Sequence, residues 1–145
     1  MPRASAPNRK NFKHFETLPT RWNDNDPYGH VNNAVYYFLF DTVVNNYLIK
    51  QKLLEIGKSE IIGLVVETQC QYFAPLKYPN NIDVGLAIGK IGSSSVNYSL
   101  GLFAPHTDIA AAAGHFTHVY VNEKTRKPIA LPDHFRKALN GLKIN

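Results

Sequence analysis

The chain of 145 residues contains a single cysteine, Cys70, one tryptophan and no long apolar run. One cysteine excludes a disulfide within the chain, which favours a reducing, cytoplasmic compartment. Because about 18 consecutive apolar residues are needed to cross a bilayer, we expect no membrane span. The basic residues near the amino terminus precede no apolar stretch, so they do not predict a secretory signal.

Several sequence motifs of metal and enzyme sites are also missing. The chain has no Cys-x-x-Cys, His-Glu-x-x-His or Gly-x-Ser-x-Gly pattern and no glycine-rich phosphate loop. His115 and His118 are three residues apart in a predicted strand, where they would face opposite sides and could not share a metal ion. The sequence therefore predicts neither a metal site nor a cofactor.

The composition is that of a globular protein with a basic surface. Apolar residues make up 44% of the chain and charged residues 19%, and the formal net charge is +5. A basic surface attracts nucleic acid or phosphate-rich small molecules, and charge alone does not separate the two. Lys and Arg are dispersed along the chain, so we expect no nucleic-acid partner.

The first half of the chain predicts a flexible tail, an edge strand and a long helix. Residues 1–13 suit the tail, which leaves one domain over residues 14–145. Residues 15–22 suit an edge strand, because Pro19 removes a ladder donor. From residue 33 to 49, apolar side chains nearly encircle a helix, which we expect to be buried and to continue to about Ile56, before Gly57.

The second half has the alternating apolar pattern of strands, with a hairpin turn at residues 92–94 and one short helix between Pro132 and Leu142. The predicted strands cover residues 61–73, 82–88, 96–102 and 109–122. One strand, a long helix and four strands predict an α+β fold, with a five-stranded antiparallel sheet wrapped around the helix. The sheet can cover only part of that helix. We therefore expect a homodimer that extends the sheet or covers the helix ends.

The loop between the first strand and the long helix is the best candidate for chemistry. It carries Asp24 and Asp26, with Gly29, His30 and two asparagines before the helix. Amides at a helix start attract a developing negative charge, and a nearby carboxylate can attack a carbonyl or activate water. Both are needed for acyl transfer. Asp and Asn are also the commonest helix caps, so spacing alone leaves capping as an alternative.

The segment from Arg21 to Tyr37 resembles the signature of the 4-hydroxybenzoyl-CoA thioesterase-like branch of hotdog proteins. That signature has an Arg, an Asp-x-Asp pair, Gly-His-Val-Asn-Asn and a Tyr at these spacings. Residues 72–76 resemble its Tyr-x-x-Pro-Leu ending of the second strand, and residues 114–121 resemble its last strand. The resemblance runs from about residue 15 to residue 139. It implies the same fold, with the helix enclosed by the sheet.

The resemblance implies that the chain hydrolyses an acyl-CoA thioester to a free acid and CoA without a metal or cofactor. Asp26 matches the catalytic aspartate, as nucleophile or general base, and the backbone amide of Asn33 matches the oxyanion donor. The substrate-binding residues would be Pro27, Tyr28, Gly29, His30 and Tyr36. Members of the family commonly form tetramers from two dimers.

Other interpretations remain open from the sequence. Two alternative functions are a hotdog dehydratase or hydratase and a non-catalytic protein that binds acyl-CoA. His30 and Asp24 suit loop-ordering roles, Tyr36 suits a core or pocket wall, and Asp41 suits the helix surface. Cys70 suits a buried, inert thiol. The acyl group of the substrate is left open.

Overall fold

The computed structural model describes residues 5 to 144. It contains one long and one short α-helix and five strands. In chain order these are β1 (His14–Leu18), α1 (Val35–Lys50), β2 (Ile61–Tyr72), β3 (Ile82–Ile91), β4 (Ser95–Phe103), β5 (Ala112–Asn122) and α2 (Asp133–Asn140). The predicted α+β architecture is confirmed.

The five strands form one antiparallel sheet in the order β1-β3-β4-β5-β2. Both the first strand and β2 therefore lie at edges. β1 ends just before Pro19, earlier than the predicted residue 22, and Trp22 instead begins a 3-10 helix, Trp22–Asp24. β2 is twelve residues long and has an irregularity between Val65 and Glu67, which leaves Val66 without a partner on β5.

Helix α1 lies against the sheet and buries one side in the core. Seven of its side chains are buried, namely Tyr36, Leu39, Phe40, Val43, Val44, Tyr47 and Leu48. Phe38 is 70% exposed and Ile49 is 43% exposed, so a single chain leaves part of the helix uncovered.

The predicted end of the long helix near Ile56 is wrong. Lys52 has a positive φ of 61°, a left-handed conformation that stops a helix. The amide of Leu53 then donates to the carbonyl of Leu48 at 2.8 Å, and Leu53 itself is buried. The helix therefore ends at Lys50, because burying Leu53 closes the chain back on the last turn.

The predicted flexible tail, residues 1–13, contacts the sheet over much of its described part. Arg9 bonds Asp83 at 2.9 Å, its amide donates to the carbonyl of Asp108 at 3.1 Å, and Phe12 is buried against Phe103. Residues 8 to 13 are therefore part of the packed fold, and residues 1–4 lie outside the described residues. Pattern reading misses this because a single apolar residue, Phe12, anchors the segment.

The core contains one polar cluster on the face of the sheet toward α1. The hydroxyl groups of Tyr98 and Tyr120 are 2.7 Å apart, and Nδ1 of His118 is 3.3 Å from the Tyr120 hydroxyl. All three side chains are buried. Burial lowers the pKa of His118 to about 4, so the ring is neutral near pH 7.

In the part of the chain that the structure describes, no helix is long and apolar enough to cross a membrane.

Candidate active site

The loop before α1 is a small hairpin closed by its own backbone. The amide of Asn32 donates to the carbonyl of Asp24 at 2.8 Å, and the amide of Asp26 donates to the carbonyl of His30 at 2.8 Å. Pro27 and Tyr28 form the turn between them, and the amide of Gly29 donates to the carbonyl of Asp26 at 3.1 Å. Gly29 has a φ of 81°, which is strained for any residue with a Cβ. The turn chemistry therefore fixes where Asp26 lies.

Asp24 orders the start of this loop. Its carboxylate is buried and accepts hydrogen bonds from the backbone amide, Nε and an Nη of Arg21, at 2.8 to 3.0 Å. The ion pair with Asp24 raises the pKa of Arg21. Because these bonds occupy both carboxylate oxygens, the loop-ordering interpretation of Asp24 fits the geometry better than a role as a second acid.

The carboxylate of Asp26 is held through one of its two oxygens. Oδ1 accepts the amides of Tyr28 at 2.9 Å and His30 at 3.3 Å. Within residues 5–144, no donor is bonded to Oδ2, and the residue is only half-buried. One oxygen thus fixes the side chain, and the other is available to a ligand or to water.

The amides of the residues on either side of Asn33 all donate hydrogen bonds within the described structure, whereas the amide of Asn33 does not. The amide of Asn32 bonds Asp24, the amide of Ala34 donates to Oδ1 of Asn32 at 2.9 Å, and the amide of Val35 donates to the carbonyl of Asn32 at 2.9 Å. Among the described residues, the Asn33 amide donates to no acceptor. This exposed donor lies just before α1, where the partial positive charge of a helix start is available.

The segment after β2, residues 76–78, is hydrogen-bonded to the loop. The amide of Val31 donates to the carbonyl of Leu76 at 2.7 Å, and the amide of Tyr78 donates to Oδ1 of Asn25 at 3.1 Å. His30 is exposed and lines an open cavity of about 280 Å³ together with Leu76 and other residues of this segment. His30 therefore has both a backbone role in the loop and a side chain that a ligand can reach.

Behind Asn33 lies a group of tyrosines. Tyr36 is buried in the first turn of α1, and its ring is tilted against that of Tyr72, with ring centroids 4.9 Å apart. Burial raises the pKa of Tyr36, and a backbone hydrogen bond at Leu76 acts in the opposite direction. Burial also raises the pKa of Cys70 to about 11, so this thiol stays protonated near neutral pH.

The side chains of the remaining predicted residues make none of the hydrogen bonds described above. Pro27 and Tyr28 are exposed at the tip of the loop, and Tyr28 is 84% exposed. Asp41 lies on the exposed side of α1, where Asn45 bonds it at 3.0 Å, in accord with a helix-surface role. Among residues 5–144, no three His, Cys, Asp or Glu side chains are arranged to hold a metal ion.

Two residues at the site were missed as contributors. The side chain of Asn32 caps the turn before α1 by accepting a hydrogen bond from the amide of Ala34, which the sequence pattern does not indicate. Tyr72 was expected only to mark the end of a strand. Its hydroxyl donates to the carbonyl oxygen of Asn33 at 3.0 Å, across 39 positions of sequence. The sequence indicates only that a Tyr ends an edge strand, and it does not indicate which residue the hydroxyl of that Tyr contacts.

The comparisons with known proteins identify the family. The model of the thioesterase-like superfamily matches residues 20–139, and the chain therefore belongs to that superfamily. A curated relative, YsmA of Bacillus subtilis (strain 168), is 24% identical over 88 residues, which are 61% of this chain. The match spans 59% of the length of YsmA, itself an uncharacterised protein.

Solved structures share the whole fold. The protein PA5185 from Pseudomonas aeruginosa strain PAO1 is 48% identical, with a TM-score of 0.92 over 95% of this chain and 96% of that one. Slr0204 from Synechocystis, a 1,4-dihydroxy-2-naphthoyl-CoA thioesterase, is 17% identical, with a TM-score of 0.77 over 87% of this chain and 94% of that one. The second likeness shows the hotdog fold alone.

Proposed function

We propose that the chain is an acyl-CoA thioesterase in which Asp26 and the Asn33 amide carry the reaction. One observation supports this most directly: among residues 5–144, a carboxylate oxygen of the loop and an amide at the adjacent helix start both have no partner. A capping aspartate would instead use its oxygens on the helix amides, and here Asn32 performs that task.

The chemistry needs no group beyond water. The thioester carbonyl oxygen accepts a hydrogen bond from the Asn33 amide, which stabilises the negative charge that develops on it. Oδ2 of Asp26 either attacks the carbonyl carbon or removes a proton from an attacking water. When water attacks, the carbon–sulfur bond then breaks, the CoA thiolate takes the proton that Asp26 removed, and the acyl group leaves as the free acid. If Asp26 attacks, the thiolate leaves and takes a proton from solvent, and water hydrolyses the resulting anhydride in a second step, which releases the acid and restores Asp26.

The 4-hydroxybenzoyl-CoA thioesterase-like branch is the finer assignment that we favour. The signature from Arg21 to Tyr37 supports it, and so does the naphthoyl-CoA substrate of Slr0204, a protein of the same fold. In this proposal Pro27, Tyr28, Gly29 and His30 contact the acyl-CoA from the loop, and Tyr36 forms the buried wall behind the carbonyl.

A homodimer completes the fold in this proposal. β2 is an edge strand, and it exposes Leu64, Val65 and Val66 in sequence, while Phe38 is exposed on α1. A long apolar edge strand is prone to pair with another chain. A second copy that pairs along β2 would extend the sheet, and a tetramer of two such dimers stays a prediction.

Release of free thiol from benzoyl-CoA, hexanoyl-CoA and palmitoyl-CoA tests the proposal. We expect the chain to hydrolyse at least one of them well above the spontaneous rate. Tight binding of all three without turnover would favour the alternative of a non-catalytic binding protein. Hydration of crotonyl-CoA without thiol release would favour the hydratase alternative. Either result would contradict the thioesterase proposal.

A further inference from the structure

The start of α1 is fixed to the sheet by one side-chain hydrogen bond. The hydroxyl of Tyr72, the last residue of β2, donates to the carbonyl oxygen of Asn33 at 3.0 Å. The Tyr72 ring also packs against Tyr36, one turn into the helix. β2 and the helix start are therefore joined at the residue whose amide is the proposed oxyanion donor.

The two peptide groups of Asn33 are held by different bonds. The peptide group between Asn32 and Asn33 contains the Asn33 amide. The carbonyl of this group, that of Asn32, accepts a hydrogen bond from the amide of Val35 at 2.9 Å. The group after Asn33 is held by two side chains: the Tyr72 hydroxyl donates to its carbonyl, and its amide, that of Ala34, donates to Oδ1 of Asn32. Asn33 itself is exposed and precedes the regular helix, so helix hydrogen bonds do not restrain it in the way they restrain a residue inside α1. Loss of the Tyr72 bond would remove the link of this group to the sheet and leave it held by the side chain of Asn32, which belongs to the loop itself.

The Tyr72 hydroxyl is suited to be a permanent donor. Burial raises its pKa, and the neighbouring Cys70 and Tyr37 act in the same direction. The phenol therefore remains protonated throughout the neutral and mildly alkaline range, where it can donate only through its O–H. The Asn33 carbonyl can only accept, so the direction of this bond is fixed.

We propose that Tyr72 is a positioning residue that sets the direction of the Asn33 amide toward the reacting carbonyl. Tyr72 does not touch the substrate in this account and acts through the backbone of Asn33. The inference rests on the thioesterase proposal above. It adds a sheet residue to a site that otherwise lies entirely in the loop and in the first turn of α1.

Tyr72→Phe tests this role, because it removes the hydroxyl and keeps the ring against Tyr36. We expect kcat for the best acyl-CoA substrate to fall about tenfold with KM changed less than twofold, since a small misplacement of a donor weakens the transition state more than binding. Tyr47→Phe is the matched control. The Tyr47 hydroxyl donates to the carbonyl of Ala138 at 2.8 Å, which is the same kind of bond at the other end of α1.

A second readout does not depend on activity. The backbone ¹⁵N order parameter of Asn33 should fall in Tyr72→Phe and stay at the wild-type value in Tyr47→Phe, while both variants lose similar thermal stability. An unchanged order parameter would overturn the proposal, and so would an equal loss of kcat in the two variants. If the wild type shows no thiol release, the thioesterase proposal fails, and the order parameter still decides whether Tyr72 restrains Asn33.

Discussion

At the scale of single residues, the two aspartates of the loop show how identical side chains acquire different roles. Asp24 is buried, and Arg21 occupies both of its oxygens. Asp26, two positions later, is half-buried and uses only Oδ1 within its turn. The free oxygen of Asp26, rather than its identity as an acid, makes it the better candidate for chemistry.

The buried side chain of His118 predicts a pH dependence of stability. Its folded pKa of about 4 is below the ordinary 6.5, so the unfolded chain binds a proton more readily between these values. Stability is therefore complete above about pH 6.5 and falls by about 3 kcal/mol as the pH drops toward 4.

Chemical denaturation of His118→Gln at pH 7 and pH 4.5 measures this effect. Gln keeps a polar contact for Tyr120 but cannot gain a proton, so the variant should lose much less stability on acidification than the wild type. His115→Gln, on the exposed face of the same strand, should behave like the wild type. Equal acid sensitivity of the wild type and His118→Gln would show that His118 is not responsible.

At the scale of elements, α1 and the sheet meet closely at Gly114 on β5. A Cβ there would overlap the carbonyl oxygen of Gln69 on β2 and lie 2.9 Å from Cε2 of Phe40 on α1. Both neighbours are constrained, since one is backbone and the other is buried. The glycine is therefore required by the spacing of three elements, β2, β5 and α1.

Gly114→Ala should lower the free energy of unfolding by about 1–3 kcal/mol or more, because the added methyl group has no space. Thermal and urea denaturation measure the change. Gly141→Ala serves as control, because a Cβ at that position meets nothing closer than the Ala138 carbonyl oxygen at 3.3 Å, in an ordinary helical conformation. A Gly114→Ala variant as stable as the control would show that the contact relaxes without cost.

The elements also show what the sequence could predict and what it could not. Alternating apolar residues located β3 and β4, as the structure confirms. The end of α1 was missed because Lys52, with no glycine signal, takes the left-handed conformation. In the site, the loop was recognisable from its turn residues. The Tyr72 bond to Asn33 was not, because it joins segments that only the folded sheet brings together.

At the scale of the whole molecule, one edge of the sheet carries a run of exposed apolar side chains. Leu64, Val65 and Val66 follow one another on β2, and 60% of Val66 is exposed, next to the unpaired backbone of an edge strand. The other edge, β1, is only five residues long and is followed by Pro19, so it offers less backbone for pairing. Of the two edges, β2 therefore offers the longer stretch of backbone for extending the sheet.

Sedimentation of the wild type at micromolar concentration should show a dimer or a larger assembly built from dimers. Val66→Lys should dissociate it, because a charge at the proposed contact would lose its water on pairing. Ile109→Lys, a charge at an exposed apolar residue away from β2, should leave the assembly intact. A monomeric wild type would contradict the dimer, and an undisturbed Val66→Lys assembly would exclude pairing along β2.

In the proposed mechanism, the carboxylate oxygen of Asp26 that makes no bond within the turn carries the hydrolysis. Asp26→Asn tests it most directly, because the amide oxygen of Asn can still accept the Tyr28 and His30 amides and preserve the turn. We expect kcat/KM for thiol release to fall about 10²–10⁴-fold, with little change in melting temperature. Asp41→Asn, at an exposed acid on α1, should keep wild-type activity. A folded Asp26→Asn variant with wild-type kcat/KM would contradict the account.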